Sequence, residues 1–310
     1  MNNAASEMKA LVTGASGLLG RAIVKEFEAN GWNVLGLAFS RSSAKLKKVD
    51  LRDSHCVEET IKSFEPYVVI HSAAERRADV VEQCAGSVQR LNVDATTYIA
   101  KTCAALKIPL IYISTNYVFD GKNPPYKPQD KPNPLNKYGL SKLAGERATL
   151  AAHPGSIVLR VPLLYGPVER INESGGTYLY NYVIQSSQVK HVCNYQQRFP
   201  THIQDVSSVL RQMADKLYKG EKFHGLFHWS SSEQHTKYSM TVCIAKVLGL
   251  SHKHILPQET PDQVTPRPHN VQLDVSDTLA LGIKVTETPF DEGIQECLKP
   301  FIKGGNLLEK

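Results

Sequence analysis

The first half of the chain alternates short apolar runs with longer stretches of helical periodicity, the pattern of parallel βαβ units whose strands are buried on both faces. Ala10–Thr13 reads as a buried strand. Leu18 to Asn30 follows with Leu19, Ile23 and Phe27 on one helical face, and Gly31 stands where a helix end favours glycine. A second strand is expected over Asn33–Ala38. A capped helix is expected from Ser54 to Phe64, stopped by Pro66 ahead of the apolar strand Tyr67–His71. One long helix over Ser87–Leu106 then leads into Leu110–Ile113, the most strand-like segment of the chain.

The stretch Asp120–Pro134 holds prolines at 124, 125, 128, 132 and 134, which makes it a loop. It delivers the chain to a helix beginning near Tyr138, and Ser156–Val161 reads as a further strand. Beyond Tyr165 the alternation becomes irregular, with a polar segment from Glu169 to Gly176, a helix over Asp205–Leu217 and a short element at Leu226–Trp229. The expected fold is therefore α/β, a Rossmann-type doubly wound parallel sheet with a smaller C-terminal lobe. Residues 1–165 form the nucleotide lobe and 166–310 the smaller lobe, with about 200–230 returning to the main sheet.

Composition adds few constraints. With 42% hydrophobic and 21% charged residues the chain has the make-up of a soluble globular protein with an ample core. The net charge of +6 is spread along the chain apart from Arg41, Lys45, Lys47 and Lys48, so it points to a phosphate-bearing small molecule near that cluster rather than to nucleic acid. No stretch approaches the apolar length of a membrane span, and the first residues lack the apolar core of a secretory leader. The 6 cysteines lie far apart without metal-ligand spacing and read as reduced thiols of a cytosolic protein. The histidines are scattered and suggest no metal site, while Trp32 and Trp229 read as core.

Thr13-Gly14-Ala15-Ser16-Gly17-Leu18-Leu19-Gly20 sets glycines three apart between a strand and a helix. A side chain at Gly14 or Gly17 would obstruct the tight turn or the approach of a pyrophosphate, whose charge is met by N–H groups at the helix start. Gly20 permits close packing of helix on strand. A turn without ligand could use the same glycines, and the βαβ surroundings are what favour the nucleotide. NAD-selective sites of this kind place an acid at the end of the second strand, where Ala38-Phe39-Ser40-Arg41 has none. Arg41 can pair a 2′-phosphate with its guanidinium fork, and Ser40 or Ser42 can add a hydroxyl, which favours NADP. A solvated loop arginine is the plainer alternative for Arg41.

Tyr138-Gly139-Leu140-Ser141-Lys142 puts a phenol and an ammonium four residues apart on one helical face. The expectation is that the cation lowers the phenol's pKa and readies it to exchange a proton with a carbonyl or hydroxyl during hydride transfer, with Thr115 donating to the same oxygen. Such pairs also occur on ordinary solvated helices; the position after the Leu110–Ile113 strand gives this one its weight.

With His71-Ser72-Ala73-Ala74, Asn92 and Ser114-Thr115, these features resemble the extended short-chain dehydrogenase/reductase superfamily. The run Ser114-Thr115-Asn116-Tyr117-Val118-Phe119-Asp120-Gly121 is similar to the signature of the dTDP-4-dehydrorhamnose reductases. Three longer stretches, 73–82, 196–202 and 267–274, resemble the family of regulatory β subunits of methionine adenosyltransferase, in a likeness that runs from about Lys9 to Phe301.

The resemblance implies a seven-stranded parallel sheet and a catalytic trio, Thr115, Tyr138 and Lys142. It implies an NADP cradle of Thr13, Gly14, Ser16, Gly17, Leu18, Leu19, Gly20, Phe39, Ser40, Arg41, Asp50, Leu51, His71, Ala73, Ala74, Arg76, Asn92, Tyr138, Lys142 and Leu164, and no metal. It also implies a partner: a methionine adenosyltransferase catalytic subunit, whose synthesis of S-adenosylmethionine from methionine and ATP the β subunit tunes. The reading it leaves open is an NADPH-dependent reductase of a nucleotide-sugar ketone. Asn116 and Leu163 stand where the sugar reductases carry Asp and Trp, which weakens sugar binding, although Asn116 alone does not choose between the two. The tail Lys303–Lys310 departs from the aromatic, basic tail by which β subunits dock, so either the tail or the folded body is the anchor. Arg76 and Arg77 read as cofactor or partner contacts, or equally as plain surface.

Overall fold

Successive strand residues point to opposite faces of a sheet, so a strand that is apolar at every position needs a core on each side. The computed structural model describes residues 7–39, 41, 45–77, 80–81, 85–261, 265–303 and 306–307. Its main sheet has seven parallel strands: β1 (Lys9–Thr13), β2 (Asn33–Ala38), β3 (Leu46–Lys48), β4 (Val68–His71), β5 (Leu110–Thr115), β6 (Ile157–Val161) and the strand Gly225–His228. From one edge to the other they run Gly225–His228, β6, β5, β4, β1, β2, β3.

Ala10, Val12, Val68 and Ile70 face a core completed by Ile23 and Phe27 of α1 (Leu18–Ala29) and by Val206 and Leu210 of the helix Ile203–Tyr218. Leu11, Leu37 and Val69 face the opposite core, built with Val57 and Ile61 of α2 (Ser54–Phe64) and with Ile99 and Cys103 of the helix Ala95–Leu106. Each buried valine, leucine, isoleucine or phenylalanine among them stabilises the fold by about 1.5 to 3 kcal/mol relative to exposure. Trp32 and Trp229 are buried in the first of these cores, as expected.

Local chemistry sets the element ends. The Asp53 side chain accepts from the Cys56 N–H and caps α2, and Gly31 takes φ +83° just past α1. The helix expected over Ser87–Leu106 is interrupted: Ala85–Gln89 and Ala95–Leu106 are separated by a π turn at Arg90–Asp94 that carries the buried Asn92. The strand β3 escaped the sequence reading because it is three residues long and polar, as sheet edges often are. The short run near Leu226 belongs to the main sheet, with Gly225 opposite Ile157 of β6.

A third core gathers Tyr165, Leu179, Tyr180, Met240, Ile244, Phe290, Ile294 and Leu298 beneath the helices Lys237–Val247 and Phe290–Leu298. Under the proline-rich loop, Phe119 stacks on Tyr126 at 4.1 Å. Deeper in the sheet, Arg160 forks onto Glu146 at 2.8 and 2.7 Å, tying β6 to the helix Lys137–Ala152. The cysteines Cys56, Cys103, Cys193, Cys243 and Cys297 are free thiols, and Cys84 lies outside the described residues. Among the described residues no helix is long and apolar enough to cross a membrane.

Candidate functional site

Parallel strands end on a common edge, and the loops that follow β1, β2, β4 and β5 open there around a cavity of about 720 Å³. Gly14, Ser16, Gly17, Leu18, Leu19 and Gly20 form one wall. Gly14 has φ +68°, and a Cβ on it would meet the Ala73 backbone at 2.8 Å. A Cβ on Gly20 would lie 2.1 Å from the Gly14 carbonyl oxygen, which explains the third glycine as packing. Gly17 is the N-cap of α1 and supplies no side-chain cap, so the helix start faces the cavity with backbone alone. These features suit the phosphates of a dinucleotide.

Phe39, Arg41, Asp50 and Leu51 line the cavity beyond β2, whereas Ser40 and Ser42 lie outside the described residues. Asp50 is held by the Arg52 guanidinium at 2.8 and 2.7 Å, and that guanidinium sits over the Phe39 ring at 5.1 Å. Arg41 donates to Glu169 and to Glu173, each at 3.0 Å. Arg21 of α1 takes Glu173 bidentately at 2.8 Å, and Arg76, after β4, donates to the Glu173 carbonyl oxygen. Partial burial would raise the Glu173 pKa, but hydrogen bonds from Arg21, the Glu169 N–H and Arg41 hold it down to about 2. These two glutamates were passed over as a polar stretch, since more than a hundred residues separate them from Arg21 and Arg41 and no spacing announces the contact.

Ala73, Ala74, Arg76 and Leu164 also line the cavity, but Thr13, His71 and Asn92 stand behind its wall. His71 is fully buried between Thr13 Oγ1 at 2.7 Å and Thr96 Oγ1 at 2.9 Å, and burial pushes it down to about 3, leaving it neutral. Thr13 Oγ1 also accepts from the Ala73 N–H. The pair therefore pins the backbone that forms the wall. Asn92 exchanges hydrogen bonds with the Glu75 backbone and donates to Ser141 Oγ at 3.1 Å, joining the π turn to the Lys137–Ala152 helix. Arg77 pairs with Glu75 at the surface.

Thr115, Tyr138 and Lys142 line the same cavity. Burial pushes the Tyr138 phenol up to about 12, against a hydrogen bond from Thr115 and the charge of Arg76. Burial pushes Lys142 down to about 7, with Glu146 opposing. Lys142 Nζ donates to the Ile113 carbonyl at 2.7 Å and lies over the Tyr112 ring at 4.1 Å. The expected lowering of the phenol by the lysine is therefore corrected: the ammonium is turned to the strand and burial decides the phenol's value.

At the far end stand Tyr117, Tyr178, Arg198, Lys237 and Arg267, none assigned a site role from sequence. Arg198 is buried, donating to Tyr117 Oη at 3.1 Å and to Gln196 at 2.7 Å. Burial raises the Tyr117 phenol, but Arg198, Arg267 and Lys237 more than offset it. Asn116 is buried and donates to the Val271 carbonyl, and Leu163 lines the cavity against Gly175.

Comparison with known proteins places these features in context. The family profile described as RmlD substrate binding domain matches residues 8–302. Methionine adenosyltransferase 2 subunit beta of Bos taurus is 48% identical over 295 residues, 95% of this chain and 88% of that protein. The dTDP-4-dehydrorhamnose reductase of Aggregatibacter actinomycetemcomitans is 33% identical over 239 residues, 76% of this chain and 77% of the other. The crystal structure of the Bacillus anthracis dTDP-4-dehydrorhamnose reductase in complex with NADP superimposes with a TM-score of 0.79 at 23% identity, covering 96% of this chain and 99% of that one.

Proposed function

The chain belongs to the RmlD substrate binding domain family, and from that premise we propose that it is a regulatory β subunit of methionine adenosyltransferase. In this reading it binds NADP and modulates S-adenosylmethionine synthesis by the catalytic subunit. The observation that carries the reading is the likeness to a protein of that name along 95% of the chain at 48% identity. The glycine cradle and the arginine beyond β2 support the dinucleotide, since an added Cβ would fill the turn and a guanidinium fork suits a 2′-phosphate. When bound, the nicotinamide supplies a hydride donor or acceptor; the chain's own residues bind and orient it. Residues 1–165 serve as the nucleotide lobe and 166–310 as the smaller lobe available to the partner, apart from about 200–230, which return to the main sheet.

A reductase reading has its own support, because Thr115, Tyr138 and Lys142 line one cavity. Tyr138 keeps its proton through the neutral range and so can donate it to a carbonyl oxygen. Gel filtration of the full chain mixed with a methionine adenosyltransferase catalytic subunit decides between the two. Co-elution supports the regulatory subunit; separate elution, with NADPH consumed on a nucleotide-sugar ketone, supports the reductase.

A further inference from the structure

Three arginines from three elements of the nucleotide lobe converge on one five-residue strap that follows Tyr165. Arg21 comes from α1, Arg41 from beyond β2 and Arg76 from beyond β4, and all three are fastened to the segment 169–173. The carboxylates of Glu169 and Glu173 both sit on Arg41, at 3.0 Å. Glu173 is firmly built in, with 10% of its side chain exposed and both oxygens on Arg21. Glu169 is 55% exposed, and its contacts are Arg41 at 3.0 Å and Arg21 at 3.5 Å.

This arrangement bears on which dinucleotide the chain takes. The end of β2 lacks the acid that marks NAD-selective sites, and Arg41 there has the chemistry to read a 2′-phosphate. Yet its Nη1 already donates to two carboxylates delivered from a distant part of the chain, and Arg21 shares both. A phosphate dianion approaching Arg41 must compete with them for the guanidinium, whereas an uncharged ribose hydroxyl need not. We propose that Glu169 and Glu173 are specificity-determining residues that compete with a 2′-phosphate for Arg41 and hold down the chain's preference for NADP over NAD. Binding of NADP draws Arg41 away from Glu169 and loosens the strap, while Glu173 stays anchored on Arg21. NAD leaves the strap as it is. The two dinucleotides thereby leave the segment 169–173 in different states.

The inference rests on the dinucleotide reading, and calorimetry separates the two. NADP and NAD are titrated into the full-length chain and into Glu169→Gln, Glu173→Gln and the double variant. Removing one opposing, solvent-reachable charge is expected to tighten NADP about three- to tenfold with NAD unchanged, and the gain shrinks in high salt. Glu169→Gln is the decisive variant, because its exposed side chain can change without disturbing the Arg21 anchor. Hydrogen exchange of peptides covering 169–173 supplies a second readout, expected to quicken with NADP and not with NAD. An unchanged NADP-to-NAD ratio in Glu169→Gln, with both dinucleotides bound, overturns the inference and leaves the cofactor reading standing. If the parent chain takes up neither dinucleotide, both fall.

Discussion

Lys142 Nζ donates to the Ile113 carbonyl oxygen at 2.7 Å, so the ammonium of the Tyr138/Lys142 pair is committed to the end of β5 rather than to the phenol. A buried lysine in this state costs the fold its full desolvation wherever both folded and unfolded chains hold it charged. With a folded value of about 7 against 10.5, the cost is complete below pH 7 and fades as the pH rises toward 10.5. Lys142→Met should therefore remove this pH dependence from the ligand-free chain. Its stability relative to the parent should fall by roughly 3 kcal/mol between about pH 7.5 and pH 10. Denaturant melts of both proteins at the two pH values check the sign; a constant difference would refute the assignment.

Tyr138→Phe is expected to leave dinucleotide affinity within a factor of about two while removing any carbonyl reduction, because only the proton is lost. Since burial holds the phenol at about 12, the parent's donor stays protonated through the neutral range. Turnover that survives the substitution would exclude Tyr138 as the acid.

Arg41→Ala should weaken NADP about ten- to a hundredfold and NAD much less, the effect of one charge-assisted contact of about 1.5 to 3 kcal/mol. Equal loss for both dinucleotides, measured by calorimetry, would place Arg41 outside the 2′-phosphate site.

Glu146→Ala removes the partner of a fully buried guanidinium: Arg160 and Glu146 side chains are 1% and 3% exposed. The expected cost is about 3 to 5 kcal/mol of stability, most of it the unpaired charge left on Arg160. Replacing both residues with apolar ones of similar volume should recover much of that loss, and a chemical denaturation series reads both outcomes.

Gly14→Ala combines a φ of +68° with a Cβ 2.8 Å from the Ala73 backbone, so it should cost about 1 to 3 kcal/mol and abolish dinucleotide binding. Gly220→Ala is the control, since its φ of +86° carries the same backbone penalty with open space around it. Comparable binding in the two variants would remove the steric argument.

The sheet was legible wherever a strand needed two cores. Asn33–Ala38 and Ser54–Phe64 appear with the boundaries read from periodicity and caps, because each is bracketed by a glycine, a proline or a capping acid. The π turn at Arg90–Asp94 was hidden, since one extra residue in a turn leaves the apolar pattern of a helix nearly intact. Within the site, local motifs such as the glycine turn and Tyr138/Lys142 could be read directly. Contacts made by distant parts of the chain could not: Glu173 on Arg21 and Arg198 on Tyr117 depend on the whole fold. Likewise, the pKa of Tyr138 follows from burial, which four-residue spacing does not reveal.

The regulatory account is tested most directly by titrating the full chain into a methionine adenosyltransferase catalytic subunit while measuring the KM for methionine, in parallel with the chain truncated before Gly304. A regulatory subunit produces a saturable change in KM at micromolar concentrations of the full chain, carried by the catalytic subunit's own active site and retained in Tyr138→Phe. Loss of the effect in the truncated chain would place the anchor in the tail, and its retention would place it on the folded body. Methionine kinetics that do not move at any concentration of the full chain would contradict the account.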